Sequence, residues 1–494
     1  MPFTKRTLVV FILLLFIQMP LPLKPDTELK ISVDLLQAMV DSTAPAEPLH
    51  VWIYFRDKGL KGEAGLAQAI METQQTLSAA CQWRRAKARP ATDLADLEDV
   101  PLSTAYTSRI QALVTGVRAV SRWLNAMSVE ATPEQVRDLA GLDFVAGLDT
   151  VKSFRREKAE KAPVSLPARF LAVPTSPSPI YGSAFDQLNQ INVLPLHQQG
   201  LSGRGVRVCL LDVGFRKSHE VFRLSHLVAE WDFVMKDDDV EQDLYDPKDY
   251  SDSHGTATWS LLGGFKFGKM IGPAFGADFI LGRTEDDRSE TPVEEDYWTA
   301  GIEWAESLGA EVVSSSLGYT DWYAFKDMDG KTAVTTKAAN RAVSLGVVVV
   351  NAAGNERRNA WGHIIAPADG FDVIAAGAVD SANKIATFSS PGPTYDGRIK
   401  PEVCARGVNN WIAQNRLSDE SDYYTIGSGT SFSTPLIGGV VALLLEAHRD
   451  WTPAQVRAAL MNTANNAAAP DNDYGWGIVN AAAAAAYTAR AIIK

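Results

Sequence analysis

Hydrophobic patterning divides the chain into two regimes. In the first, up to about residue 158, short runs of strand formers alternate with mixed helical patterns. Residues 49–55, Leu-His-Val-Trp-Ile-Tyr-Phe, predict a strand. Helical patterns follow to about residue 118, and the stretch Trp123 to Ala131 predicts a second strand. At Thr132-Pro133-Glu134-Gln135 the chain spells a helix start, with Thr as cap, Pro at the first helical position and Gln three residues after the cap. That helix is expected to close at Gly141 in a left-handed cap, and residues 143–154 to form a third strand. The sum is a small α+β domain over about 28–158.

From about residue 184 the pattern changes to continuous apolar runs separated by helices. The runs are Val206–Leu211, Phe279–Leu281, Val312–Ser314, Val347–Val350 and Val373–Ala376. Helices are expected from Ala333 to Leu345, closed by Gly346, and from Pro435 to Ala447. Another is capped by Thr452 with Pro453 and Gln455. Apolar strands alternating with helices predict a parallel sheet buried on both faces. The expected fold class is therefore α/β, a mostly parallel sheet with helices on both faces over 184–494, preceded by the small α+β domain. Between them Arg155 to Lys161 is heavily charged and 163–180 is rich in Pro and Ser, which predicts an exposed linker at 159–183.

The N-terminus adds a destination. Lys5 and Arg6 precede an apolar run from Leu8 to Ile17, which Gln18, Pro20 and Pro22 break. This reads as a secretory signal over 1–23, since a membrane span needs about 20 apolar residues. Secretion, or export to a periplasm, is expected; no Ala-x-Ala site follows, and an uncleaved anchor is the alternative. A length of 494 residues suits roughly two or three domains. The formal net charge of −12 gives no reason to expect nucleic acid or an acidic membrane as partner. The three cysteines have no metal-site spacing, and Cys209 reads as a small buried hydrophobe. No structural disulfide is expected.

In open α/β sheets, sites form beyond the carboxyl ends of the strands. Asp212 ends the run from Val206 and could hold a histidine tautomer; otherwise it caps a turn. His254, in Asp252-Ser-His-Gly-Thr-Ala-Thr, could act as a general base; otherwise it is a capping or surface histidine. Ser431, in Gly427-Ser-Gly-Thr-Ser-Phe-Ser-Thr-Pro, opens a helix among unpaired N–H groups; otherwise it is a plain cap. Asn355, in Ala352-Ala-Gly-Asn-Glu, could donate its amide to an oxyanion; otherwise it is a turn residue. The segment around Ser316 follows a strand end and could pair with a substrate backbone; otherwise it is ordinary sheet edge.

Taken together and in this order, Asp-x-Gly, His-Gly-Thr, Ala-Gly-Asn and Gly-Thr-Ser-x-x-x-Pro resemble the four signatures of the subtilisin family. Phe388-Ser-Ser-Pro-Gly-Pro-Thr, Lys400-Pro-Glu and Tyr474-Gly-Trp-Gly-Ile-Val-Asn are also similar to it, so the resemblance covers about 184–490. It implies a serine endopeptidase acting on polypeptides through an acyl-enzyme. Asp212 would orient, His254 act as base and then acid, Ser431 attack, and Asn355 with the Ser431 N–H hold the oxyanion. Ser316, Leu317 and Gly318 would line the substrate, with Ala353 and Gly354 opposite. The N-terminal domain resembles the family's propeptide, an intramolecular inhibitor and folding aid. The family often binds calcium; the acidic loop from Asp237 to Asp252 lacks EF-hand spacing and reads as solvated. Where the family usually has Thr or Ser after the catalytic Asp, this chain has Val213.

Three rival readings meet the same residues. A dinucleotide-binding enzyme needs its glycines after the strand, and Gly203-Arg-Gly-Val precedes it. An α/β-hydrolase needs Gly-x-Ser-x-Gly, and Ser433 stands two residues after Ser431. A catalytically inactive subtilisin-like binding protein is the alternative from another class; all four chemical residues argue against it, and only Val213 is discordant.

Overall fold

The structure is a computed structural model that describes residues 30–42, 48–154, 178–241, 251–285, 293–414 and 422–488. The expected signal, most of the linker and most of the acidic loop lie outside the described residues. The chain forms two compact units, Met1–Gln75 with Ala95–Val151, and Thr76–Leu94 with Lys152–Lys494.

The smaller unit carries a four-stranded sheet in the order β2-β3-β1-β4, built from β1 (Leu49–Phe55), β2 (Gly116–Ser121), β3 (Ala126–Ala131) and β4 (Val145–Thr150). Each neighbouring pair is antiparallel. Helices α1 (Val33–Asp41), α2 (Gly62–Thr76), α4 (Thr104–Gln111) and α5 (Pro133–Ala140) accompany it, while α3 (Ala79–Arg85) belongs to the larger unit. Val51, Ile53, Met127, Val129, Val136 and Leu148 make the centre of its core. The cap of α5 forms as spelled: Thr132 Oγ1 accepts from the Gln135 N–H at 3.3 Å, and Gln135 Oε1 from the Thr132 N–H at 2.8 Å.

Three local expectations need correction. Gly141 has φ −73°, not a left-handed value, because its N–H closes a tight last turn onto Asp138 O at 3.1 Å. The second expected strand starts at Ala126, since Trp123 lies in a turn that Asn125 closes at φ 50°. The helical pattern read on to residue 118 overruns β2, which starts at Gly116.

The larger unit is built on an all-parallel seven-stranded sheet in the order β15-β14-β13-β12-β6-β10-β7. Its strands are β6 (Arg207–Asp212), β7 (His226–Asp232), β10 (Asp278–Arg283), β12 (Val312–Ser315), β13 (Val348–Ala352), β14 (Ile374–Val379) and β15 (Val403–Arg406). Short antiparallel pairs join β5 (Ser153–Phe154) to β11 (Val293–Glu294), β8 (Phe265–Lys266) to β9 (Met270–Ile271), and β16 (Asn410–Gln414) to β17 (Tyr423–Gly427). The third expected strand of the first domain thus breaks into β4 and β5.

The chain leaves β6 toward one edge, through β7 and β10, then crosses to build β12 to β15 on the other side. The carboxyl end of β6 therefore lies where the winding reverses, the place where open α/β sheets bind ligands. Helices α6 (Ser251–Gly263) and α9 (Thr430–Ala447) pack on each other and on the sheet; α7 (Glu295–Ser307) and α8 (Val334–Ser344) form a second packed pair. Helix α10 (Pro453–Thr463) has the capping box expected at Thr452. Among the described residues α9 alone is long and apolar enough to cross a membrane, but 83% of its apolar window is buried, which marks a core helix.

Candidate active site

Asp212 is the last residue of β6, and burial strips its carboxylate of water. Three groups replace that water. The Val213 N–H donates to Oδ1 at 2.9 Å, the Thr258 hydroxyl donates to Oδ2 at 2.9 Å, and His254 Nδ1 lies 2.6 Å from Oδ1. Burial pushes the Asp212 pKa up, but His254 and these hydrogen bonds outweigh it and hold the carboxyl below its usual value. An ionised carboxylate only accepts, so it fixes the imidazole proton on Nδ1. Nε2 is left buried with no hydrogen-bond partner among the described residues.

Two residues make that pair possible. Gly255 lets the start of α6 touch the chain after β6: a Cβ there would stand 2.0 Å from Gly214 O. Thr258 sits one turn beyond His254 on the same helix face, which brings its hydroxyl to the far oxygen of Asp212. Sequence reasoning missed Thr258, although the i, i+4 spacing from His254 was there to be read. It supplies a hydroxyl at the carboxylate despite Val213.

Ser431 is the second residue of α9 and is only 6% exposed. Its hydroxyl donates to Ser316 O at 3.3 Å, and the Ser316 hydroxyl donates to Ser431 O at 2.9 Å. The ring of Phe432, next in the chain, lies 5.8 Å from the His254 ring, so α6 and α9 bring the histidine beside the serine's turn. Asn355 follows β13 and is exposed. Its Oδ1 accepts from the Thr430 N–H at 2.9 Å and the Thr430 hydroxyl at 3.1 Å, which turns the amide so that Nδ2 points away from those donors.

Ser316, Leu317 and Gly318 continue from β12, and Ala353 and Gly354 from the adjacent β13. Several of their backbone groups already have partners. Leu317 O accepts from Asn351 Nδ2 at 2.9 Å, the Ala353 N–H donates to Ala376 O at 3.1 Å, and Gly354 O accepts from the Ser390 N–H at 2.9 Å. Gly318 and Gly354 are needed for clearance: a Cβ would stand 2.1 Å from Ile365 Cδ1 and 2.7 Å from Ser390 Oγ respectively.

The described residues contain no group of three or more His, Cys, Asp or Glu placed to hold a metal ion. The mechanism proposed for the site does not depend on calcium. Cys81, Cys209 and Cys404 are free and buried, and burial raises all three thiol pKa values.

An ionised Asp, a tautomer-locked His and a serine at a helix start, gathered at the carboxyl ends of a parallel sheet, define the class of serine hydrolases on an α/β scaffold. The chain belongs to the subtilase family, whose profile matches residues 203–477. A peptidase S8 propeptide domain profile, of the Bacteroidota type, matches residues 50–164. Subtilisin of Bacillus pumilus is 33% identical over 304 residues, covering 60% of this chain and 97% of its own. Subtilisin E of Bacillus subtilis (strain 168) is 33% identical over 301 residues, covering 60% of this chain and 70% of its own. In fold, the chain is similar to fervidolysin from Fervidobacterium pennivorans, with a TM-score of 0.61 and 20% identity, covering 91% of this chain and 62% of that one. The protein is a serine-type endopeptidase.

Proposed function

We propose that the protein is a secreted endopeptidase made as a zymogen, with Asp212, His254 and Ser431 as its triad. The observation that carries this reading is the 2.6 Å contact between Asp212 and His254 Nδ1, with Nε2 left without a partner. The Ser431 hydroxyl turns from Ser316 O toward Nε2 and loses its proton there as Oγ attacks the scissile carbonyl carbon. Asp212 stabilises the imidazolium and does not itself take the proton. Asn355 Nδ2 and the Ser431 N–H, at the positive end of α9, donate to the oxyanion. Nε2 then returns the proton to the departing amine. Water repeats the sequence on the acyl-enzyme and frees Ser431. The segments Ser316–Gly318 and Ala353–Gly354, which follow β12 and β13, hold the peptide extended.

The region over 28–158 then acts as an inhibitor, removed by cutting the linker after the signal at 1–23 has directed export. Labelling with a fluorophosphonate tests the triad: wild type is expected to label at Ser431, and Ser431→Ala to neither label nor cleave peptide. A catalytic unit freed of its N-terminal region that folds and does not label would be a binding protein instead.

A further inference from the structure

Residues 152–154 belong to the larger unit and lie on it as an added strand. β5 pairs antiparallel with β11, Phe154 opposite Val293 and Ser153 opposite Glu294. The ladder runs on by one residue, where the Glu295 N–H donates to Lys152 O at 3.2 Å. Glu295 opens α7, and its side chain turns back to the same lysine. Its Oε1 accepts from the Lys152 N–H at 3.1 Å, and its Oε2 from the Tyr323 hydroxyl at 2.6 Å.

Acids gather behind this edge. Glu285, Glu295 and Asp296 are all buried. The dipole at a helix start favours carboxylates, but it does not account for three of them out of water. Burial pushes the Glu295 carboxyl up to about 8 and the Asp296 charge adds to this, while the Tyr323 hydroxyl, the Lys152 N–H and the Lys152 charge pull the other way. Tyr319 faces the same group. Its side chain is wholly buried, and its hydroxyl has no hydrogen-bond partner among the described residues. Burial raises the phenol pKa, and the charges of Glu285, Glu295 and Asp296 raise it further. Lys152, only 5% exposed, brings a positive charge to this acidic recess.

The recess adjoins the proposed substrate segment. Tyr319 follows Gly318 in the chain, and Trp298 Nε1 donates to the Ser315 hydroxyl at 2.9 Å, tying α7 to the carboxyl end of β12. Ser316 O, the partner of the Ser431 hydroxyl, stands three residues before Tyr319. That is about 10 Å along extended backbone.

We infer that Glu285, Glu295, Asp296 and Tyr319 form a recess that selects substrates by a basic side chain, three or more residues on the amino-terminal side of the bond to be cut. Lys152 shows the pose: it precedes the linker, and a substrate lysine takes the same edge of β11 once the N-terminal region has gone. This rests on reading that region as removed and Ser316–Gly318 as the substrate segment. Buried carboxylates left without a cation are costly. A compact ammonium on a slim stem can reach them, whereas an apolar side chain leaves the cost in place and an acidic one adds to it.

The enzyme obtained by folding and processing the full chain is offered peptides that differ in one residue, at each place from about the third to the sixth before the cut. The assay is run above pH 8, where the Glu295 carboxyl is ionised. At one place lysine should raise kcat/KM at least about tenfold over norleucine, and glutamate should lower it. Glu295→Gln should reduce that lysine-to-norleucine ratio about tenfold. A ratio near one at every place, or the same ratio in the variant, overturns the recess. A second readout needs no turnover. In the full chain with Ser431→Ala, Lys152→Met should speed amide exchange at 152–154 and 293–295 at least about tenfold, and Lys152→Arg by much less. Exchange as slow with Met as with Lys overturns the recess even if the enzyme is inactive. The expected exchange difference in a protein whose Ser431 does not label overturns the triad and leaves the recess standing.

Discussion

Asp212 and Glu306 are both buried carboxylates facing basic side chains, and both are held below the usual carboxylate pKa. Their partners differ in the property that matters. An imidazole gains and loses a proton in the physiological range; a guanidinium keeps its charge at any pH the protein survives. In the proposed mechanism Asp212 faces a charge that changes within each turnover. Glu306 faces Arg84 and Arg85 of α3, two charges that do not change, and Arg84 satisfies three backbone carbonyls besides. The same burial thus holds a carboxylate beside a titratable cation in one place and beside two permanent ones in the other.

The largest expected effect tests the turnover side of this contrast. Ser431→Ala should lower kcat by on the order of 10⁶-fold, the size of loss that removing this serine causes in a subtilisin, with the melting temperature nearly unchanged; residual turnover well above that level would remove Ser431 as nucleophile. Asp212→Asn keeps the shape but accepts poorly from Nδ1, and should lower kcat by about 10⁴-fold, as it does in the chymotrypsin triad. Glu306→Gln in the same assay should leave kcat of the freed catalytic unit unchanged. Equal losses in the two variants would erase the distinction between the carboxylates.

Asn355→Ala should cost about 100- to 1,000-fold in kcat with KM little changed, the loss seen for one such donor in a subtilisin. A normal kcat in well-folded protein would leave only backbone donors for the oxyanion. Acid sharpens the other side. The Glu306 pKa, ordinarily 4.5, is lowered to about 2: burial raises it, and Arg84 and Arg85 more than reverse that. A lowered carboxylate pKa stabilises the contact fully above pH 4.5, and that stabilisation is lost as pH falls toward 2. The drop in melting temperature that Glu306→Gln causes in the full chain should be level from about pH 7 to 5 and shrink toward pH 2; shrinkage already at pH 5 would place the controlling group elsewhere. The smallest effect belongs to Thr258→Val, which removes one of the hydrogen bonds to Asp212 and should cost roughly tenfold in kcat or less.

Asp212, His254, Asn355 and Ser431 stood out in the sequence because each has a punctuated position: a strand end followed by Gly214, a helix start beside Gly255, a turn through Gly354, a helix opening after Gly429. The sheet was legible where strands are buried on both faces, as in β12 and β13. It was not legible at β7, an edge strand whose side chains are mostly half-exposed, or at β15, which has only four residues. The α3 contact was least legible. Arg84 and Arg85 look like any charged pair on a short helix, and their partner lies 222 and 221 residues away. No local pattern announces that a distant carboxylate will be buried with them.

Ser431 sits on α9, whose residues from Thr430 to Leu445 are buried. Gly438 and Gly439 bring that helix close to its neighbours: Cβ atoms there would lie 3.2 Å from the Ser314 side chain and 2.8 Å from Pro273. The proposed nucleophile is thus carried by a buried helix of the larger unit and not by an adjustable loop. In the proposed mechanism, a chain caught half-assembled has no attacking serine in place. By the same logic, covalent capture of Ser431 reports that the core has closed, and its time course after dilution from denaturant becomes a clock for folding.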